Sequence, residues 1–233
     1  MLPIYTISSK PDTIAEQCKL TEPFSFSPVY QARPGMKLPI LINKDNKIEM
    51  VMAQWGSKKP LVSMDRILST RPYNILIRKQ RCAVPANCFF SLKNEQPYLV
   101  RLLQYRLFLM GGIFHYVDGE FYFALLQTEP ADMLNSLEGQ MPVVMAPEKL
   151  SSWLLAPGGD GGGVGRVMHY ADRAGGYWFD YFPVSKQILD PAQNKPDLLK
   201  PEGISQHQLK DHEKKLTAIA FEKERPNRSG MKH

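Results

Sequence analysis

Residues 81–97 read R-C-A-V-P-A-N-C-F-F-S-L-K-N-E-Q-P. Cys82, Ala83 and Val84 form a short apolar run that suits a buried strand. Pro85 has no N–H for a ladder and restricts the residue before it, so the run is expected to end there. Asn87 tolerates left-handed turn geometry, and Phe89 and Phe90 follow as an aromatic pair. The polar turn Lys93-Asn94-Glu95 then leads into Gln96-Pro97-Tyr98. The stretch predicts strand, sharp turn, aromatic pair, hairpin turn and strand.

The same grammar extends outward. Residues 1–8 are apolar and β-prone and read as a strand buried near its start. Residues 13–20 read as a helix with Asp12 as N-cap and Ile14 and Cys18 on one face. Residues 30–35 read as a turn, and residues 38–43 and 48–54 as the arms of a hairpin closed by Lys44-Asp45-Asn46-Lys47. A basic, irregular linker and a short helix or coil fill residues 57–81, where Lys58, Lys59, Arg66, Arg71, Arg78, Lys79 and Arg81 face only Asp65.

Three strands follow at residues 98–103, 106–114 and 120–127, the last two joined at Asp118-Gly119, a strong hairpin signal. Residues 131–137 behind Pro130, and 147–155, read as helices; Leu150, Trp153 and Leu154 share one face of the second. Residues 141–145 and 182–185 read as strands. The glycine-rich residues 158–165 read as a flexible insertion, since no Lys-Ser/Thr follows to make a phosphate cradle. The expected fold is α+β, mainly antiparallel β with a few short helices, over residues 1–203. Residues 204–233 read as a charged C-terminal tail, with a short helix near residues 209–221.

Composition narrows the function classes. At 233 residues, with 43% hydrophobic and 22% charged residues, the chain is globular rather than disordered. A net charge of +6 permits a polyanionic partner without requiring one. Cys18, Cys82 and Cys88 are widely spaced, with no C-x-x-C and no histidine at metal spacing. That argues for a reducing compartment and against both a disulfide framework and a metal site. His115, His169, His207 and His212 form no ligand cluster, and no cofactor motif stands out. No apolar run approaches the ~18 residues of a membrane span, so a cytoplasmic protein is expected.

The opening stretch resembles the R-C-[LIV]-x-P-A-x-G-F-Y-E-W…Q-P-Y signature of the SRAP (SOS response-associated peptidase) family. Further islands keep the family's order. Residues 30–34 are similar to its Y-N-x-x-P, and Gln54-Trp55-Gly56 to its W-G-L-I-P. Residues 110–114 parallel its A-G-L-W, residues 139–145 its H-D-R-M-P-V-I-L, and Trp153-Leu154 its later W-L. The resemblance implies a β-rich, barrel-like core with a groove on one face. It also implies recognition of abasic sites in single-stranded DNA, linked to the SOS DNA damage response.

The implied chemistry is altered. Family members begin M-C-G-R, and removal of Met leaves a cysteine whose α-amine and thiol trap the abasic aldehyde covalently, as a DNA–protein crosslink. Leu2 occupies that position here, without a thiol, and its bulk should block removal of Met1. Ser91 stands where the family has a functional Glu, and Glu138 where it has a His. The stretch of residues 61–66 lacks the family's asparagine. The family's catalytic positions thus fall at Leu2, Ser91 and Glu138, which points to a degenerate protein, a pseudoenzyme that keeps non-covalent DNA affinity.

Trp55 beside Lys58 and Lys59 offers base stacking plus phosphate attraction. Gly56, Arg66 and Arg81 are expected to extend that DNA-binding surface. Two alternatives remain open: a reversible Schiff base or lyase activity through the Met1 amine with Glu138 as base, and a protein-interaction paralogue with no DNA role.

Overall fold

The computed structural model describes residues 1–56, 58–103, 107–155 and 179–211. Three tight hairpins organise them. β3 (Lys37–Lys44) and β4 (Lys47–Trp55) meet through Asp45 and Asn46, at φ 50° and 62°. β7 (Cys88–Lys93) and β8 (Gln96–Leu102) meet through Asn94 and Glu95, at the same two angles. β9 (Phe108–Val117) and β10 (Glu120–Thr128) meet through Asp118 and Gly119, at 51° and 83°. Positive φ at both central residues matches the right-handed twist of the arms, which is why Asn, Asp or Gly fills every one of these positions but Glu95.

A ring of strands closes around the core. β6 (Arg81–Ala86) lies between β3 and β9, β3 pairs β4, β4 runs parallel to β10, and β10 returns to β9. The closed ring has no free edge. Its closure requires a glycine: a Cβ on Gly112 would lie 2.7 Å from Cys82 Sγ and 2.9 Å from the Ala124 carbonyl oxygen. β5 (Leu61–Ser63) takes over from β4 along β10, with Leu61 opposite Leu125 and Ser63 opposite Gln127. The short strands β11 (Met141–Pro142) and β12 (Val144–Met145) border β10 and β9.

A second, antiparallel sheet runs β13–β8–β7–β1–β2, where β1 is Tyr5–Ile7, β2 is Val29–Ala32 and β13 is Phe179–Pro183. Tyr5 joins the two sheets by meeting Trp55 edge to face at 5.1 Å. The short helices α1 (Pro11–Cys18), α2 (Tyr73–Lys79) and α3 (Leu150–Leu154) cover the flanks, and Trp153 donates its indole N–H to the Cys82 carbonyl at 2.8 Å. The architecture is the expected α+β, mainly antiparallel β, with a barrel-like core.

Several local expectations give way to tertiary pairing. Pro85 lies inside β6 and does not end it, because β3 pairs with β6 only at Cys82 and Ala83 and leaves that side free beyond them. Asn87 is not left-handed; its side chain instead accepts from Ser8 N and Ser9 N at 2.7 and 3.0 Å, fastening the turn to β1. Residues 30–32 extend rather than turn, drawn into register opposite β1. α1 starts at Pro11, with Lys10 rather than Asp12 at the N-cap position and no side-chain cap bond. Residues 131–137 form only a 3-10 turn at Asp132–Leu134, since the chain must be back at Met141 to pair with Thr128.

Packing continues past Gly203. His207 N donates to the buried Asp180 carboxylate at 3.1 Å, and Arg101 pairs with the same group at 3.0 Å. The glycine-rich residues 158–165, the start of the strand expected from residue 106, and the far end of the tail helix lie outside the described residues. No helix among the described residues is long and apolar enough to cross a membrane.

Candidate functional site

The site grows from the first residues of the chain. Leu2 N donates to the Phe90 carbonyl at 2.8 Å and Phe90 N to the Ile4 carbonyl at 3.3 Å, so residues 2–4 run along β7. The Leu2 side chain packs with Ile4, Cys88, Phe90 and Leu99 in a small apolar cluster. This direction carries the Met1 amine to the loop before β11, where it donates to the Gln140 carbonyl. Gly139, at φ +75°, gives the amine room, for a Cβ there would sit 3.1 Å from Met1 N. Burial lowers the pKa of the amine below its ordinary 8.0, because the charged form loses solvent.

A polar cleft of about 520 Å³ opens beside this seat, lined in part by Lys59, Ser63, Asp65, Arg66, Gln127 and Gln140. The Gln140 amide donates to Ser63 Oγ at 3.2 Å and to Glu129 Oε1 at 3.1 Å, and Ser63 Oγ donates to Asp65 Oδ2 at 3.3 Å. Lys58, Lys59 and Arg66 are exposed, and the Lys59 ammonium stands 6.0 Å above the Tyr73 ring. The β5–β10 pairing brings these groups together by setting Ser63 opposite Gln127.

Some expected site residues lie elsewhere. Trp55 is 0% exposed: it stacks on Phe123 at 6.0 Å and donates its indole N–H to the Pro60 carbonyl at 2.8 Å. It therefore anchors the segment bearing Lys58 and Lys59 and presents no face to a base. Gly56 is part of the same anchor, its N–H bonded to the Phe123 carbonyl at 2.9 Å. Arg81, 6% exposed, donates to the carbonyls of Trp153, Ile77 and Arg78 and holds α2 and α3 to the barrel, so it is removed from a DNA surface.

Ser91 is buried and donates to the Glu138 carbonyl at 2.8 Å, pinning the loop that ends in Gly139 and Gln140. Glu138 itself is exposed, and its carboxylate accepts from Asn94 N at 2.8 Å, capping the β7–β8 turn. The thiols are inaccessible. Burial pushes Cys18 and Cys88 up to about 12, and Cys82 higher still. Gln140, Ser63 and Tyr73 carry no site signal of their own in the sequence; only the glycine at 139 marks the loop before Gln140, and its positive φ emerges with the fold.

Fold and site define a closed-barrel β domain that seats the Met1 amine at the edge of a polar cleft. The chain belongs to the SRAP family, whose profile, SOS response associated peptidase, matches residues 1–191. Among curated proteins it is similar to the abasic site processing protein YoqW of Bacillus subtilis, 21% identical over 220 residues, covering 84% of this chain and 97% of that one. It also resembles the abasic site processing protein YoaM of the same organism, at 22% identity over 64% of this chain and 77% of YoaM.

Crystal structures share the fold. A protein from Bacteroides thetaiotaomicron superposes with a TM-score of 0.69 at 15% identity, covering 86% of this chain and 100% of that one. A phage-related protein from Bordetella bronchiseptica superposes with a TM-score of 0.63 at 18% identity, covering 79% and 94%.

Proposed function

We propose that this protein binds abasic sites in single-stranded DNA in the cytoplasm, as part of a DNA damage response, without making a permanent crosslink. Family membership and the names of the relatives support the abasic-site role. One observation carries the loss of the trap: Leu2 brings an apolar side chain, packed with Phe90, to the position that needs sulfur. The buried thiols offer no substitute, since a nucleophilic cysteine needs exposure and a depressed pKa. Affinity comes from Lys59 and Arg66 at the cleft and from the adjacent Lys58, and weakens with salt.

The desolvated Met1 amine favours a second reading, reversible Schiff-base formation. The amine nitrogen bonds to the aldehyde carbon of the opened sugar, and the carbonyl oxygen leaves as water. No thiol follows to close a ring, so the imine hydrolyses back. The experiment incubates the protein with abasic single-stranded DNA, with and without borohydride, and reads a denaturing gel beside the intact protein mass. The expected result is no adduct without reductant. A band that survives without borohydride refutes the proposal, and a reductant-dependent band on a chain retaining Met1 supports the second reading. No shift in a low-salt native gel would leave a paralogue without a DNA role.

A further inference from the structure

A second cavity, of about 400 Å³, lies between α2, the outer face of the β9–β10 hairpin and the segment bearing Gly56, Lys58 and Lys59. Its walls follow from register. Tyr122 lies directly opposite His115, and Ala124 opposite Ile113, so period-two alternation turns all four side chains to one face. The first pair stacks, with ring centroids 5.2 Å apart and planes 12° apart. Tyr73 and Leu76 of α2 close the other side. The result is a slot with aromatic and aliphatic walls whose lining also carries the exposed Lys58 and Lys59.

Charge and shape narrow the occupant. The lining includes Lys58 and Lys59 and no carboxylate, so its charge favours an anion. The walls select a planar, largely apolar ring. The volume falls in the usual range for small-ligand pockets, about 300–1,000 Å³. Lys59 and Tyr73 line both this slot and the polar cleft beside the Met1 seat, so the two cavities share a wall. A chain of alternating rings and phosphates lying in the cleft can turn one ring into the slot and leave the adjoining phosphate on the lysines.

We propose that this slot takes one unstacked nucleobase of the strand bound in the cleft, with the neighbouring phosphate held by Lys58 and Lys59. The assignment rests on the reading of the cleft as a DNA site. It places base recognition on the β9–β10 hairpin and α2, and none of it on Trp55.

The test uses the full chain and single strands that carry a tetrahydrofuran abasic analogue and fluorescent aminopurine at one flanking position at a time. Anisotropy of an end label reads overall binding, and aminopurine emission reads stacking at each position. One position alone is expected to respond. Ala124→Leu, which fills the slot, should abolish that response and weaken strand binding about tenfold, the scale of one lost base stack. His115→Ala removes an exposed ring without disturbing the core and should weaken binding about threefold.

A strand that binds while all positions respond alike overturns the slot and leaves the cleft intact, as does binding insensitive to both variants. No binding of any strand overturns the cleft reading and the slot together. Titration with free deoxyadenosine monophosphate separates the sources. If it binds more tightly than the strand and Ala124→Leu abolishes that binding, the slot belongs to a small nucleotide and the strand assignment falls.

Discussion

Replacing Trp55 by phenylalanine separates a structural indole from a base-stacking one. The indole is fully buried, stacked on Phe123 and edge-on to Tyr5, and its N–H satisfies the Pro60 carbonyl. Leaving that carbonyl unpaired costs ~1–3 kcal/mol. The smaller ring leaves a void of roughly 40 Å³, which at ~24 cal/mol per Å³ adds about 1 kcal/mol. The sum, about 2–4 kcal/mol, is a large part of a typical stability of ~5–15 kcal/mol. Each kcal/mol moves the melting temperature by about 2–4 °C in a domain of this size. Urea unfolding followed by circular dichroism should show the midpoint falling with the slope unchanged. Strand binding, measured where the variant is still folded, should change less than about threefold, through slackening of the lysine-bearing segment. An unchanged midpoint with binding down about tenfold would mean the indole stacks on DNA, and would refute the reasoning.

Joint replacement of Lys58 and Lys59 by alanine should weaken strand binding and reduce the slope of log affinity against log salt by about 1.4, or ~0.7 per phosphate contact. Stability should shift by no more than about 0.5 kcal/mol, because both side chains are exposed; an unchanged slope would remove them from the interface. Arg81→Met should destabilise by about 3 kcal/mol in denaturant by orphaning buried carbonyls, with strand affinity of the folded protein intact. The Met1 amine, lowered from 8.0 by burial, binds its proton less well folded than unfolded. Its contribution to stability is therefore absent above the ordinary pKa and turns into a cost as pH falls through 8.0 toward the folded value. Borohydride trapping, if the amine is the nucleophile, should level off below pH 8.0, and a profile following an ordinary α-amine would contradict the burial.

What was legible in the sequence was what local chemistry decides. Asp118-Gly119 and Lys93-Asn94-Glu95 announce their turns because positive φ is written in residue type. The alternating apolar runs around them can only be strands. A Trp-Gly before paired lysines looks alike at a loop tip and at a strand end, so the sequence alone does not declare the burial of Trp55. Its burial follows from Trp55 lying opposite Phe123 in the parallel β4–β10 pair, a contact between distant segments. Arg81 reads as one more cation in a basic run, and only the packing of α2 and α3 shows which carbonyls it serves. Ser63 and Gln140 look unremarkable until β5 and β11 take neighbouring places along β10.

The same division explains how scaffold motifs stay readable while the chemistry around them changes. The seat of the Met1 amine is made mostly of main chain: the Leu2 N–H on the Phe90 carbonyl, the amine on the Gln140 carbonyl, and the space at Gly139. Ser91 supports that seat by bonding the Glu138 carbonyl, and Glu138 ties its loop to the β7–β8 turn through Asn94. None of these bonds depends on a thiol at position 2 or on an acid or imidazole beside it. A change of side chain at position 2 therefore leaves undisturbed the backbone that brings the Met1 amine beside the polar cleft. Under the proposed abasic-site role, presenting the amine and fixing an adduct rest on different atoms, main chain for the first and the side chain at position 2 for the second.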